Sequence, residues 1–212
     1  MMLKVIWDLD GTLIDSAVDV VECLELAINE SGVDISRQIK PFAIGATIDV
    51  IFKESFPPEM VSNEITLKVI KAFRRIYDNS DFNKTKPFPG INEIIQDTAN
   101  FEHHIVTNKP DMPTKRIINK LNWSRYISGI NTPYTIPGEI RLKQEIFKDI
   151  VCKNGGEYVG IGDTKNDCLA AKKSKITAVG ILWGTGTRED LTAYCDFVFE
   201  NTKQLKNFLY GS

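Results

Sequence analysis

Short apolar runs alternate with helical stripes along most of the chain. Leu3 to Trp7 is apolar except for Lys4, the pattern of a strand buried on both faces. Comparable runs occur at His104 to Thr107, Ile127 to Ile130, Tyr158 to Ile161, Thr177 to Leu182 and Asp196 to Phe199. Between most of them, apolar residues recur at helical spacing over Ile91 to Ala99, Thr114 to Leu121, Leu142 to Lys153, Asn166 to Lys173 and Arg188 to Tyr194. Asn154-Gly155 supplies a helix stop, because Gly adopts the left-handed conformation at no steric cost. Strands alternating with helices predict an α/β fold, a parallel sheet with helices on both faces.

One interval breaks this rhythm. From about residue 16 to 85 no strand pattern occurs. Ser16 with Asp19 three residues on reads as a helix entry, and Val18, Val21, Leu24, Ala27 and Ile28 carry the stripe to a stop at Ser31-Gly32. A second stripe runs through Ile65, Val69, Ile70, Phe73, Ile76 and Tyr77, and Pro57-Pro58 separates it from a shorter apolar segment, Ile44 to Phe56. The expected organisation is a core of residues 1–15 and 86–212, interrupted after its first strand by a small all-α unit of residues 16–85. A length of 212 residues suits one domain with a large insertion.

Composition narrows the function classes. Hydrophobic residues at 42 % and charged residues at 25 % are ordinary for a globular chain. With 26 Lys and Arg against 28 Asp and Glu the net charge is −2, whereas a nucleic-acid binder relying on phosphate neutralisation is normally basic. The apolar run before Asp8 is too short for a signal peptide and no stretch is long enough to span a membrane, so a cytoplasmic protein is expected. Cys23, Cys152, Cys168 and Cys195 form no Cys-x-x-Cys pair and are expected to be reduced core thiols.

The chemistry-bearing residues stand at strand ends. Asp8-Leu9-Asp10-Gly11-Thr12 follows the first strand, beyond whose carboxyl end ligands bind in open α/β sheets. Two carboxylates there suit a hard divalent cation, though a lone Asp-x-Asp is equally compatible with a turn carrying solvated acids. Gly162-Asp163-Thr164-Lys165-Asn166-Asp167 follows another strand, and Asp167 lies one helical turn beyond Asp163. Four acids from two strand ends point to a metal cradle more firmly than either pair. Val106-Thr107-Asn108 ends a third strand, where hydroxyl, amide and backbone N–H groups suit phosphate oxygens.

Taken in order with a downstream lysine, these strings resemble the four motifs of the haloacid dehalogenase-like (HAD) phosphohydrolases. The chain is most similar to the phosphoglycolate phosphatase-like branch, whose helical cap is inserted between the first and second motifs, and the segment Ala178 to Gly184 resembles the stretch after the fourth motif in that branch. The resemblance implies a Rossmann-like parallel-sheet core and a cap that closes over the site. It also implies that Asp8 attacks phosphorus to form a phosphoaspartate while Asp10 is general acid and then general base. Thr107 and Asn108 would hold the phosphoryl group, and Mg²⁺ would be held by Asp8, the backbone carbonyl of Asp10, Asp163 and Asp167. At the third motif the branch usually shows lysine followed by proline, where this chain has Arg141-Leu142-Lys143-Gln144-Glu145. Lys143 is the choice because it opens a helix; Arg141 is the alternative.

Other features take a plainer reading. His103 and His104 are adjacent on a strand, point to opposite faces and cannot chelate together. Gly184-Thr185-Gly186 begins a dinucleotide fingerprint but meets Glu189 at its sixth position, and no Walker sequence occurs. Phe73 and Tyr77 read as the insertion's own core. Phe42-Ala43-Ile44-Gly45, Lys40, Lys53, Arg74 and Arg75 are the candidate substrate contacts of the cap.

The expected activity is a Mg²⁺-dependent phosphatase acting on a small phosphorylated metabolite, a phosphoglycolate-like or sugar phosphate monoester. A phosphomutase of the same fold and a non-catalytic phosphate- or metabolite-binding module are the alternatives. Dehalogenation is disfavoured because it has no use for an acid at Asp10. No nucleic-acid or membrane partner is expected, and the chain is expected to be a monomer or homodimer.

Overall fold

A computed structural model describes residues 2–32, 51, 62–136 and 138–211. The chain divides into two compact units, Met1–Asp15 with Lys86–Ser212, and Ser16–Thr85.

The first unit is built on a six-stranded sheet of β1 (Leu3–Trp7), β4 (Phe101–Val106), β5 (Ile127–Asn131), β6 (Tyr158–Gly162), β7 (Thr177–Ile181) and β8 (Phe197–Phe199). Its order is β5-β4-β1-β6-β7-β8, and every neighbouring pair is parallel. β1 sits where the chain, having built β4 and β5 on one side, crosses to build β6, β7 and β8 on the other. That reversal makes the carboxyl end of β1 the usual ligand position in such sheets. β2 (Ile14–Asp15) and β3 (Lys86–Pro87) form a small antiparallel pair at the base of the insertion.

The crossovers are α3 (Ile91–Gln96), α4 (Asp111–Lys120), α5 (Lys143–Asn154), α6 (Lys165–Lys173) and α7 (Arg188–Tyr194), with α8 (Thr202–Tyr210) at the end. The apolar stripes of α5 and α6 bury Ile146, Phe147, Ile150, Ala170 and Ala171 against Ile6, Tyr158 and Ala178 of the sheet. On the opposite face Trp7 donates its indole N–H to Nδ1 of His103, 3.0 Å away, and both side chains are fully buried. His104 instead pairs with Glu102, 2.7 Å away, so the two histidines serve opposite faces as expected.

Several boundaries differ from the sequence reading. β4 begins at Phe101, three residues before the continuous apolar run, because Phe101 itself is buried against Tyr210 and His103. α3 ends at Gln96, where Asp97 leaves helical geometry (ψ 75°). The last helix, α8, is additional to the expected elements, with Leu205 and Leu209 marking its buried face one turn apart. The thiol expectation needs correction: Cys168 and Cys195 are joined as a disulfide, and of the free thiols Cys23 is buried but Cys152 exposed. The pair forms because α6 and the end of α7 pack together, a contact no local spacing announces.

The second unit contains α1 (Ala17–Glu30) and α2 (Asn63–Asp78), which pack against each other. Phe73 and Tyr77 stack with ring centroids 5.1 Å apart, and Tyr77 meets Phe82 edge-on, so the reading of this stripe as core holds. Ser16 precedes α1 but its side chain makes no cap hydrogen bond, contrary to the expected cap. Asp19 is committed elsewhere, accepting from Lys84 N–H at 3.1 Å and from the Thr85 hydroxyl at 2.6 Å. Arg75 pairs with Glu30. Lys40, Lys53 and Phe42 to Gly45 lie outside the described residues. No helix among the described residues is long and apolar enough to cross a membrane.

Candidate active site

The site is assembled from the carboxyl ends of β1, β4 and β6. Asp8 continues the β1 ladder, its N–H donating to the Ile161 carbonyl at 2.9 Å. The chain then turns sharply: Leu13 and Ile14 N–H groups both return to the Leu9 carbonyl, and Gly11 takes φ 81°. A side chain at Gly11 would be strained by that φ and would overlap the Asp163 carboxylate. β6 ends in Gly162-Asp163, and Thr164 opens α6 by a capping box in which Asp167 Oδ2 accepts from Thr164 N–H at 3.1 Å and its hydroxyl at 2.6 Å. A helix cap thus fixes one oxygen of Asp167 and leaves the other to the site.

Asp8, Asp163 and Asp167 converge there, each buried, with one carboxylate oxygen apiece lying within 4.8 Å of the others. Lys143, the first residue of α5, enters the cluster. Its ammonium donates to Asp8 Oδ1 at 2.5 Å and to Asp167 Oδ1 at 2.6 Å. Arg141, the alternative at this position, instead binds Asp149 at 2.7 Å. Burial raises Asp8 well above the ordinary carboxylate range, with Lys143 opposing and the neighbouring acids adding to the rise. Burial also raises Asp163, helped by Asp167. Burial works against the Lys143 ammonium, but Asp167 and Asp8 outweigh it and hold its pKa above the usual value.

Asp163 is held by parts of the chain far from it in sequence. Its Oδ1 accepts from the Thr12 hydroxyl at 3.1 Å, and its Oδ2 from the N–H and hydroxyl of Thr185 at 2.8 and 2.9 Å. Gly184 and Gly186 bring that loop so close that a Cβ at either would overlap Asp163. Trp183 closes the arrangement by donating to the Thr12 carbonyl at 3.0 Å. The loop dismissed above as a failed dinucleotide fingerprint is therefore a clamp on Asp163. Its sequence signals were the glycines on both sides of Thr185 and the resemblance of Ala178 to Gly184 to the stretch after the fourth motif.

Asp10 stands apart from the three converging carboxylates, its Oδ1 3.1 Å from the ammonium of Lys109. Both side chains are buried, and the sequence reading gave Lys109 no role. Thr107 is buried beyond the end of β4, where its N–H donates to Asn131 and its hydroxyl accepts from Lys109 N–H at 3.2 Å. Asn108 is half-buried beside it.

The family model for haloacid dehalogenase-like hydrolases matches residues 5–181, spanning β1 to β7. The chain belongs to the haloacid dehalogenase-like hydrolase family. Among its relatives, the phosphoglycolate phosphatase of Vibrio parahaemolyticus is 26 % identical over 94 % of this chain and 92 % of its own. That of Aquifex aeolicus is 28 % identical over 86 % of each. A haloacid dehalogenase-like hydrolase from Streptococcus pneumoniae superposes with a TM-score of 0.81 over 98 % of both chains at 21 % identity, which establishes the shared fold.

The donor set of this HAD-like hydrolase fits a hard divalent cation. Among the described residues the cluster sets three carboxylates against one ammonium, so with all three ionised it carries an excess of two negative charges, the charge one divalent ion would balance. Every converging donor is oxygen, the ligand type Mg²⁺ prefers.

Proposed function

We propose that this chain, a phosphoric monoester hydrolase of the HAD-like family, is a Mg²⁺-dependent phosphatase that works through a phosphoaspartate on Asp8. The observation that carries the reading is Lys143, whose one ammonium bridges Asp8 and Asp167 inside a buried triad of carboxylates. A structural ion pair needs one carboxylate. A site that handles a transferred phosphoryl group needs a nucleophile, a cation holder and a fixed positive charge together.

Asp8, Asp163, Asp167 and the Asp10 backbone carbonyl would hold Mg²⁺. When bound it supplies charge that lets an anionic nucleophile approach an anionic phosphate and favours the ionised form of the buried Asp8. Asp8 attacks phosphorus through a carboxylate oxygen, and the bond from phosphorus to the alcohol oxygen breaks as Asp10 gives that oxygen a proton. Asp10, now ionised, takes a proton from water as the water attacks the phosphoaspartate. The bond from phosphorus to Asp8 then breaks, releasing inorganic phosphate. Lys143 spreads positive charge over the cluster, and Thr107 with Asn108 orients the phosphoryl oxygens. Residues 86–212 with 1–15 form the catalytic domain, and the insertion of residues 16–85 is the cap that selects the leaving group. The phosphoglycolate phosphatases among its relatives make phosphoglycolate the first substrate to try.

The test is hydrolysis of p-nitrophenyl phosphate and a panel of alkyl phosphate monoesters, 2-phosphoglycolate among them, with Mg²⁺ and with excess chelator. Turnover that stops with chelator and with Asp8→Asn supports the reading. Turnover unchanged by either refutes it, and an isomerised sugar phosphate in place of free phosphate identifies a mutase.

A further inference from the structure

The buried ion pair of Asp10 with Lys109 is not accounted for by the charge balance of the carboxylate triad. That triad has its own ammonium in Lys143. Asp10 lies outside the triad, and Lys109 brings a second ammonium to it, with side-chain exposures of 5 % for the lysine and 7 % for the acid. Removing an ammonium from water costs several kcal/mol, and a buried pair is often no more stabilising than apolar residues of the same volume. Stability is therefore a poor reason for this pair to exist.

The backbone that carries Lys109 is held on both sides. Its N–H donates to the Thr107 hydroxyl at 3.2 Å, and the Thr114 hydroxyl donates to the Pro110 carbonyl at 2.8 Å and lies 3.4 Å from that of Lys109. Pro110 follows with φ −58°, and α4 begins at Asp111. Lys109 is thus aimed from the end of β4 across to the turn after β1, its parallel neighbour in the sheet. Asp10 itself stands just beyond β1, bridged through its backbone to Ile14 at the start of the turn.

We propose that Lys109 is a positioning residue for Asp10. Its ammonium fixes the orientation of the carboxyl group that protonates the leaving alcohol and later takes a proton from water. The inference rests on the acid and base role proposed for Asp10. It goes beyond that role by assigning the residue that makes it work. A displacement of about 1 Å in a catalytic group costs on the order of 10²-fold, so a dedicated anchor is worth a buried charge.

The experiment compares leaving groups in the full-length enzyme with saturating Mg²⁺. The value of kcat/KM reports steps through phosphoenzyme formation. A p-nitrophenolate leaving group needs little protonation, whereas an alkoxide needs it fully. Lys109→Met is expected to lower kcat/KM for the best alkyl phosphate of the panel by about 10²-fold, the usual contribution of general acid catalysis, and to change that for p-nitrophenyl phosphate much less. Because dephosphorylation also uses Asp10, the variant should release a burst of p-nitrophenolate before a slow steady state. Lys109→Arg should restore part of the alkyl activity. Adding Lys109→Met to Asp10→Asn should cost little more than Asp10→Asn alone, since residues acting as a unit are not additive.

Equal losses for both leaving groups, together with weaker inhibition by inorganic phosphate, would make Lys109 a phosphate ligand and overturn the proposal. So would full multiplication of the two single-variant losses. If Asp10→Asn itself shows no leaving-group selectivity, the acid role of Asp10 fails and the proposal with it. If Asp10→Asn is selective and Lys109→Met is not, the proposal fails alone. Unchanged circular dichroism and melting of Lys109→Arg separate these outcomes from misfolding.

Discussion

Replacing Asp8 by Asn in the chelated protein is expected to raise its stability while abolishing turnover. The carboxylate oxygens of Asp8, Asp163 and Asp167 lie within 4.8 Å of one another, and at an effective dielectric of ~20 each such pair repels by about 3.5 kcal/mol or more. Two neighbours therefore cost ionised Asp8 about 7 kcal/mol, and Lys143 at 2.5 Å returns about as much on the same scale. The Coulomb contributions nearly cancel, so burial decides, and the buried carboxylate has lost several kcal/mol of hydration. Asn keeps the shape, drops the charge and leaves Lys143 paired with Asp167. A net gain of about 2 kcal/mol, or roughly 4–8 °C in Tm, is the expected size at pH 7.5 in chelator.

The pH dependence follows in sign. Asp8 and Asp163 are both raised above the ordinary value of 3.8, so in the metal-free protein they contribute stability below that value and lose it as pH rises through their folded pKa values. The advantage of Asp8→Asn should therefore shrink as the melt is moved from pH 7.5 toward pH 4. Saturating Mg²⁺ should reverse it, because the wild-type site gains the ion and the variant site binds it less well. A variant that melts below wild type in chelator at pH 7.5, or whose advantage is independent of pH, would refute the electrostatic account of this site.

The remaining predictions share its logic. Lys143→Met should act in the opposite direction, lowering the chelated protein's stability by about 3–5 kcal/mol and nearly eliminating turnover, because it strands buried carboxylates; thermal melts and kcat check both. Gly186→Ala should lower kcat/KM by about 10²-fold, since the added methyl would meet the Asp163 carbonyl and displace the acid; phosphatase assays with Mg²⁺ titration report it. Burial holds the neutral form of His103, bringing its pKa down to about 4 from 6.5. The unfolded chain binds the extra proton between those values, so about 3 kcal/mol of stability is lost as pH falls from 6.5 to 4. His103→Gln should flatten the denaturation midpoint over that range relative to wild type, and parallel pH curves would refute the assignment.

What could be read before folding was local. The central strands β1, β4, β6 and β7 stand out as apolar runs because they are mostly buried, and the helices between them as stripes of 3.6 spacing. Asp8, Asp10 and Asp163 were legible because they stand just beyond such runs, where ligands usually bind in this kind of sheet, and Asp167 because it lies one helical turn after Asp163. Lys143 could be preferred to Arg141, two residues before it, only because it opens the helix. The tertiary structure brings it to Asp8 across 135 residues of chain and turns Arg141 to Asp149 instead.

The partners that support the site were not legible. The Thr12 hydroxyl reaches Asp163 across 151 residues, and Trp183 reaches the Thr12 carbonyl across 171. The pairing of Lys109 with Asp10 likewise joins the ends of two adjacent strands. Hydrophobic periodicity records which face of an element is buried, not which distant side chain it meets there. The sequence by itself therefore determined the layers of this protein and the edge on which its acids stand. Only the packing of α5 and of the 183–186 loop onto that edge decided how those acids are paired, clamped and charged, because buried carboxylates take partners from whatever the fold brings within hydrogen-bond reach.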